Sequence, residues 1–195
     1  MGRPRKSSQT IPTPERILGA AESESARAGY AAARLEDIAA RAGIRRPSLL
    51  HHFGSKEALY AATVERATTA MGSALTTAMA VPGDLDARLR SVIEGFDAFA
   101  RQRPTLARLI IREFVADSGG PGRDVVAERV APLIDIVVGW ADGQRGSAPP
   151  RSLRAALVTV AADCLLRASM GELADRLWGE DDLWERVRPM LIRSS

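Results

Sequence analysis

Residues 35–56, LEDIAARAGIRRPSLLHHFGSK, constrain the fold more than any other stretch of this chain. Ala39 and Ala42 are small where two helices have to approach closely, and Gly43 stands where the backbone has to turn sharply. Ile38, Ala42, Ile44 and Leu49 are apolar at the positions a small core needs. The spacing predicts two short helices, over 35–41 and about 47–53, joined by a tight turn. That is a helix-turn-helix, and its second helix is the one that enters a DNA major groove. The second helix carries Arg45 and Arg46 at its start and His51 and His52 near its end.

Charge is distributed to match. The formal net charge is only +3, but residues 1–60 hold ten Lys/Arg against six Asp/Glu. The remaining residues hold seventeen against eighteen, so the positive surplus lies wholly in the N-terminal third. A polyanionic partner at that end follows. An apolar fraction of 46% is ample for a core, and no run alternates in the manner of a strand. The single Cys164 excludes an intramolecular disulfide framework and a cysteine-rich metal site. The apolar runs near 133–140 and 155–166 are broken by Asp135 and Asp163 and are too short to span a bilayer. With no signal peptide legible at the N-terminus, the expectation is a cytoplasmic protein without a membrane partner.

The punctuation of the chain predicts nine helices. Residues 1–10 read as a disordered basic arm, GRPRK at 2–6, whose Arg3 and Arg5 suit a narrow minor groove. Thr13 is the expected cap of a first helix that Gly29 stops, with Pro14 at its first position. Ser55 caps a long helix over 56–80, and Asp84 caps another over 85–101. Further helices are expected over 105–117, 124–142 with Pro132 inside, 152–168 and 183–192. Residues 118–122 read as flexible and 146–150 as a linker. The division expected is 1–10 arm, 11–55 helix-turn-helix domain and 56–195 helical C-terminal domain: an all-α chain.

RILGAA (16–21), AGY (28–30), LEDIAARAGI (35–44) and SLLHHFGSKEALY (48–60) together resemble the N-terminal domain of TetR-family transcriptional regulators. The likeness covers about 14–62 and is specific in order and spacing. It implies a three-helix DNA-binding domain followed by a larger helical domain that dimerises and binds a small effector. Effector binding would then shift the equilibrium toward a conformer that cannot hold its operator. It also implies DNA contacts by Arg45, Arg46, Pro47, Ser48, Leu50, His51 and Lys56. Arg45 and Arg46 suit guanine, Pro47 and Leu50 suit thymine methyls, and Ser48, His51 and Lys56 suit phosphates. His52 and Phe53 are expected to pack against the domain's own core. Three features depart from the family. Leu50 replaces a hydroxyl-bearing aromatic. Arg34 stands where helix 2 usually has a Ser or Thr cap, a loss of about 1 kcal/mol that a phosphate contact by Arg34 would offset. Glu22, Glu24 and Ser25 replace large apolar residues in helix 1.

In the C-terminal part, Met71, Phe96, Phe99, Phe114 and Trp140 lie on apolar helix faces and are candidates to line an effector cavity. Asp135 and Asp163 sit inside apolar faces, where an unpaired carboxylate is costly. Asp163 has Arg167 one turn later, so an ion pair at an interface is one expectation; a cationic effector neutralising Asp135 or Asp163 is the other. Ala155, Val158, Ala162, Asp163, Leu166 and Arg167 are the candidate dimer face. No phosphate loop, metal-ligand cluster or nucleophile motif is present, so no catalytic residue, metal or cofactor is expected. The expected function is a homodimeric repressor on a palindromic operator, released by a small molecule. The alternative is an architectural DNA-binding protein that needs no effector.

Overall fold

The computed structural model describes residues 11–115, 121–145, 153–179 and 182–192. Among these the structure is all helical: α1 Thr13–Ala32, α2 Leu35–Arg41, α3 Arg46–Phe53, α4 Lys56–Met79, α5 Leu85–Gln102, α6 Pro104–Val115, α7 Pro121–Arg145, α8 Leu153–Met170, α9 Glu172–Trp178 and α10 Leu183–Leu191.

The side chains that start these helices are mostly those the sequence offers. Ser55 accepts a hydrogen bond from the Ala58 N–H at 3.1 Å and Asp84 from the Ala87 N–H at 2.9 Å. Asp182 does the same for α10, accepting from Trp184 and Glu185. Thr13 is not a cap, because Pro12 holds that position and no side-chain bond forms. Gly29 breaks α1 as expected, leaving helical geometry at φ 79° and ψ 165° before one further turn. α7 begins at Pro121 rather than Asp124, so residues 121–122 are helical and not loop. The short α9 was not anticipated; it restarts the chain after Gly171 at φ 57°. Residues 1–10 and 146–150, the expected arm and linker, lie outside the described residues.

Two apolar cores result. The smaller gathers Ile17, Leu18, Ala21, Ile38, Ala39, Ala42, Leu49 and Leu59. The larger begins with Ala26 and Tyr60 and takes in the buried faces of α4 to α8 and α10. They meet inside α4, where the consecutive residues Leu59 and Tyr60 face different cores. α1 also touches both domains, because its C-terminal end packs on α6.

That junction is polar. Arg112 of α6 donates from Nη1 to the Arg27 carbonyl at 3.0 Å and the Ala26 carbonyl at 3.4 Å. These carbonyls lie at the end of α1, where a cation complements the helix dipole. The neighbouring Glu113, only 6% exposed, accepts the Tyr30 N–H at 3.4 Å. Burial, the largest cause, pushes the Tyr30 hydroxyl up to about 12 and raises Tyr60 as well.

Helix 1's departures from the family pattern also find their reason here. Glu24 is buried at 4% exposure and holds two arginines. Arg27 reaches its Oε2 at 2.8 Å, and Arg41 at the end of α2 reaches its Oε1 at 2.6 Å. Glu22 pairs with Arg66 of α4 at 2.8 Å. Ion pairs therefore tie α1 to α2 and α4.

Candidate functional site

Helices α2 and α3 present one continuous polar surface. The turn between them runs through Gly43 at φ 68°, a conformation a side chain would strain. Behind it, Ile44 donates its N–H to the Ala39 carbonyl at 3.0 Å. Of α3 only Leu49 is fully buried, with no exposed surface, and it plants the helix in the small core with partial help from Leu50 and Phe53. Arg45, Arg46, Pro47, Ser48 and His51 are all exposed and Leu50 is partly so. These six lie on one short helix and the residue before it, turned toward solvent together.

Two expectations change in detail. His52 is exposed rather than packed into the core; its ring centroid lies 6.0 Å from that of His51. Leu49, Leu50 and Phe53 supply the packing of α3 on the core, and His52 falls on the outward side of the helix. Lys56 donates from Nζ to the Ala31 carbonyl at 2.8 Å and sits 4.9 Å above the Tyr30 ring. It closes the end of α1, so phosphate contact by Lys56 would compete with that bond. Arg34 stands uncapped at the start of α2, as its sequence position implies, and is exposed. Arg3 and Arg5 lie outside the described residues.

One residue of this surface was not anticipated. Glu36, in the first turn of α2, places Oε1 3.2 Å from Arg46 Nε and Oε2 3.9 Å from Arg34 Nε. Its sequence position, two residues after an arginine and ten before another, carries no signal without the fold that brings the helices together.

The second site is a cavity of about 180 Å³ in the larger domain. Met71, Phe96 and Phe114 line it together with Leu75, Val92, Ile110, Leu133, Val137, Leu157 and Val160. All lining side chains are apolar. Phe114, 44% exposed, stands at its edge with Val158 and Ala162.

Phe99 and Trp140 are not part of the lining. Each instead lies beneath a guanidinium, Arg103 over Phe99 and Arg88 over Trp140, both at 5.1 Å. Asp135 is 61% exposed and pairs with Arg154, so it lines nothing and bears no burial cost. Asp163 does pair with Arg167, at 3.1 Å, and also with Arg186 of α10 at 2.7 Å. This ion pair is internal to the chain. Arg167 is 6% exposed and its guanidinium lies over the Trp178 ring, which takes it off the outer face of α8. The rest of the candidate dimer face does form one exposed stripe: Ala155, Val158, Ala162 and Leu166. Cys164 is fully buried, and burial raises its thiol to about 12, which keeps it protonated.

The fold and its two sites define a class: a helix-turn-helix head joined to a helical domain with an apolar cavity. Residues 17–63 match the model of the bacterial regulatory proteins of the tetR family. The HTH-type transcriptional activator FasR of Mycolicibacterium smegmatis is 38% identical over 82 residues, 42% of this chain and 37% of that protein. The match thus spans little over a third of that curated relative's length. The fold is similar to that of a TetR-like transcriptional regulator from Rhodococcus sp. RHA1, with a TM-score of 0.69 at 18% identity, covering 93% of this chain and 96% of that one. It is also similar to FadR from Bacillus subtilis, solved in complex with stearoyl-CoA. There the TM-score is 0.67 at 17% identity, covering 91% of this chain and 95% of that one. Residues 17–63 thus match the tetR-family model, and the described chain has the fold of a TetR-like regulator. That family is one of regulators, not of enzymes. Among the described residues no helix is long and apolar enough to cross a membrane.

Proposed function

We propose that the protein is a dimeric, sequence-specific DNA-binding regulator whose hold on a two-fold operator is switched by a lipophilic effector. The observation that carries the DNA-binding part is the exposed array on α3, Arg45 to Ser48 and His51, on a helix planted by Leu49. Arg46 is the principal base reader in this reading, and Arg34, Ser48 and His51 position the head on phosphates. Support for a second copy comes from α8. Its stripe of Ala155, Val158, Ala162 and Leu166 leaves Val158 43% and Leu166 38% exposed, an apolar surface a partner would cover. Two heads on one operator add their affinities through a high effective concentration.

The effector class follows from the cavity. Its lining carries no carboxylate to meet a cation, and Asp135 and Asp163 are both satisfied by arginines elsewhere. A saturated or aromatic hydrocarbon body suits it, and the stearoyl-CoA held by the FadR structure is of that chemistry. The sign of regulation depends on where an operator lies relative to its promoter. Repression is the reading we adopt, while the relative FasR is an activator; effector binding that lowers DNA affinity would end either action.

Selection of bound sites from random DNA, followed by footprinting, tests the proposal. A discrete site with two half-sites is expected, and uniform coating would point to an architectural protein instead. Arg46→Ala is expected to weaken operator binding about 10- to 100-fold, since one bidentate arginine–guanine pair contributes about 1–3 kcal/mol. Unchanged affinity would remove Arg46 from the reading surface. A long-chain acyl thioester added to the complex is expected to lower DNA affinity at least fivefold, the bottom of the usual coupling range; a small polar cation should leave it unchanged.

A further inference from the structure

The acid in the middle of the reading surface calls for a role of its own. Glu36 accepts and cannot donate, so it has nothing to offer guanine O6 and N7, and phosphates repel it. It also has no core contact to justify its place, being 52% exposed on its side chain. What it does have is two arginines, one on each carboxylate oxygen: Arg46 at 3.2 Å and Arg34 at 3.9 Å. In water such an exposed pair contributes little to stability. In a DNA groove, with water displaced, the same charges interact strongly and an arginine without a partner would swing to the nearest phosphate.

We propose that Glu36 is a specificity-positioning residue. It holds Arg46 by its Nε edge against α2, keeping that side chain over the base edges and off the backbone, so that discrimination at one base pair is bought with some loss of non-specific affinity. This rests on the DNA-binding function proposed above. The physical logic is that of designing against the wrong partner: a negative charge beside the reader penalises every complex in which Arg46 does not engage guanine.

The test uses the full-length protein and the site it selects from random DNA. Each of the four bases is placed in turn at the pair that Arg46→Ala identifies, and affinity is measured at one fixed salt concentration alongside non-specific DNA. Glu36→Gln keeps the side chain's shape and removes its charge. It is expected to bind non-specific DNA about threefold or more tightly and to lose about tenfold in preference at that one pair, with the other pairs unchanged. In the double variant with Arg46→Ala, no further loss of preference is expected, because the two residues act through one contact. A Glu36→Gln variant that retains the wild-type base preference overturns the role of Glu36. So does one that loses preference evenly along the site, the mark of a general loosening of the head. Wild-type protein that selects no discrete site overturns the DNA-reading function itself, a result distinguishable from both.

Discussion

Leu49→Ala is expected to destabilise the protein by about 2–5 kcal/mol and to abolish operator binding. Leu49 is the sole buried residue of α3 and is fully enclosed by the small core. A fully buried leucine truncated to alanine forfeits its transfer energy and leaves a cavity, and small cores have few neighbours able to close one. Leu50 and Phe53 pack only partly against the same core, so Leu49 is the main anchor of the helix. Urea unfolding checks the energy, and a gel-shift titration checks the binding. Exposed Arg45→Ala provides the contrast: it should alter binding with a stability change within about 0.5 kcal/mol. Near-wild-type stability in Leu49→Ala would mean that contacts beyond the core hold α3 in place.

Glu24→Ala is expected to cost about 2 kcal/mol. The carboxylate is buried and engages two guanidiniums, at 2.8 and 2.6 Å. Charge-assisted hydrogen bonds of that kind contribute about 1.5–3 kcal/mol. The cost stays below that of breaking a wholly buried pair because Arg27 and Arg41 keep 64% and 51% of their side-chain surface exposed and can return to water. Hydrogen bonding from Arg27 first, then Arg41, holds the Glu24 carboxyl below its ordinary value of 4.5, against an opposing burial effect. A folded value below the unfolded one means the carboxylate stabilises the fold above pH 4.5. That contribution is lost as pH falls through the lower, folded value. Thermal unfolding followed on acidification should therefore show wild type losing its margin over Glu24→Gln across that window. A constant margin at all pH values would remove the ionised carboxylate from the account.

How much of this was legible beforehand depends on the range of the interaction. The recognition helix, its turn at Gly43 and the caps Ser55 and Asp84 are written in neighbouring residues, and periodicity recovers them. The stripe on α8 is legible for the same reason, since 155, 158, 162 and 166 repeat at helical spacing. Asp135 misled because its flanking apolar run looks buried, whereas α7 turns that position outward to Arg154. The buried Glu24 was visible only as an anomaly, since its partner Arg41 is seventeen residues away on another helix. Phe99 and Trp140 sit on apolar faces as surely as Phe96 does. Which aromatic borders a cavity and which lies under an arginine is decided by the neighbouring helix, and that is a tertiary fact.

Leu59 and Tyr60 are adjacent in the chain yet belong to different cores. Successive helical residues point about 100° apart, so the start of α4 is a wall common to both rooms. The sequence looks modular, a recognisable head followed by an unfamiliar body, but the head does not end where its motif ends. Cut away before α4, it would leave Ile17, Ile38 and Leu49 open on the side that Leu59 closes. A regulator of this build can exchange one ligand-binding body for another only by carrying the first turns of α4 along with the head. Recombination, natural or engineered, should therefore find its workable crossover points within that helix rather than ahead of it.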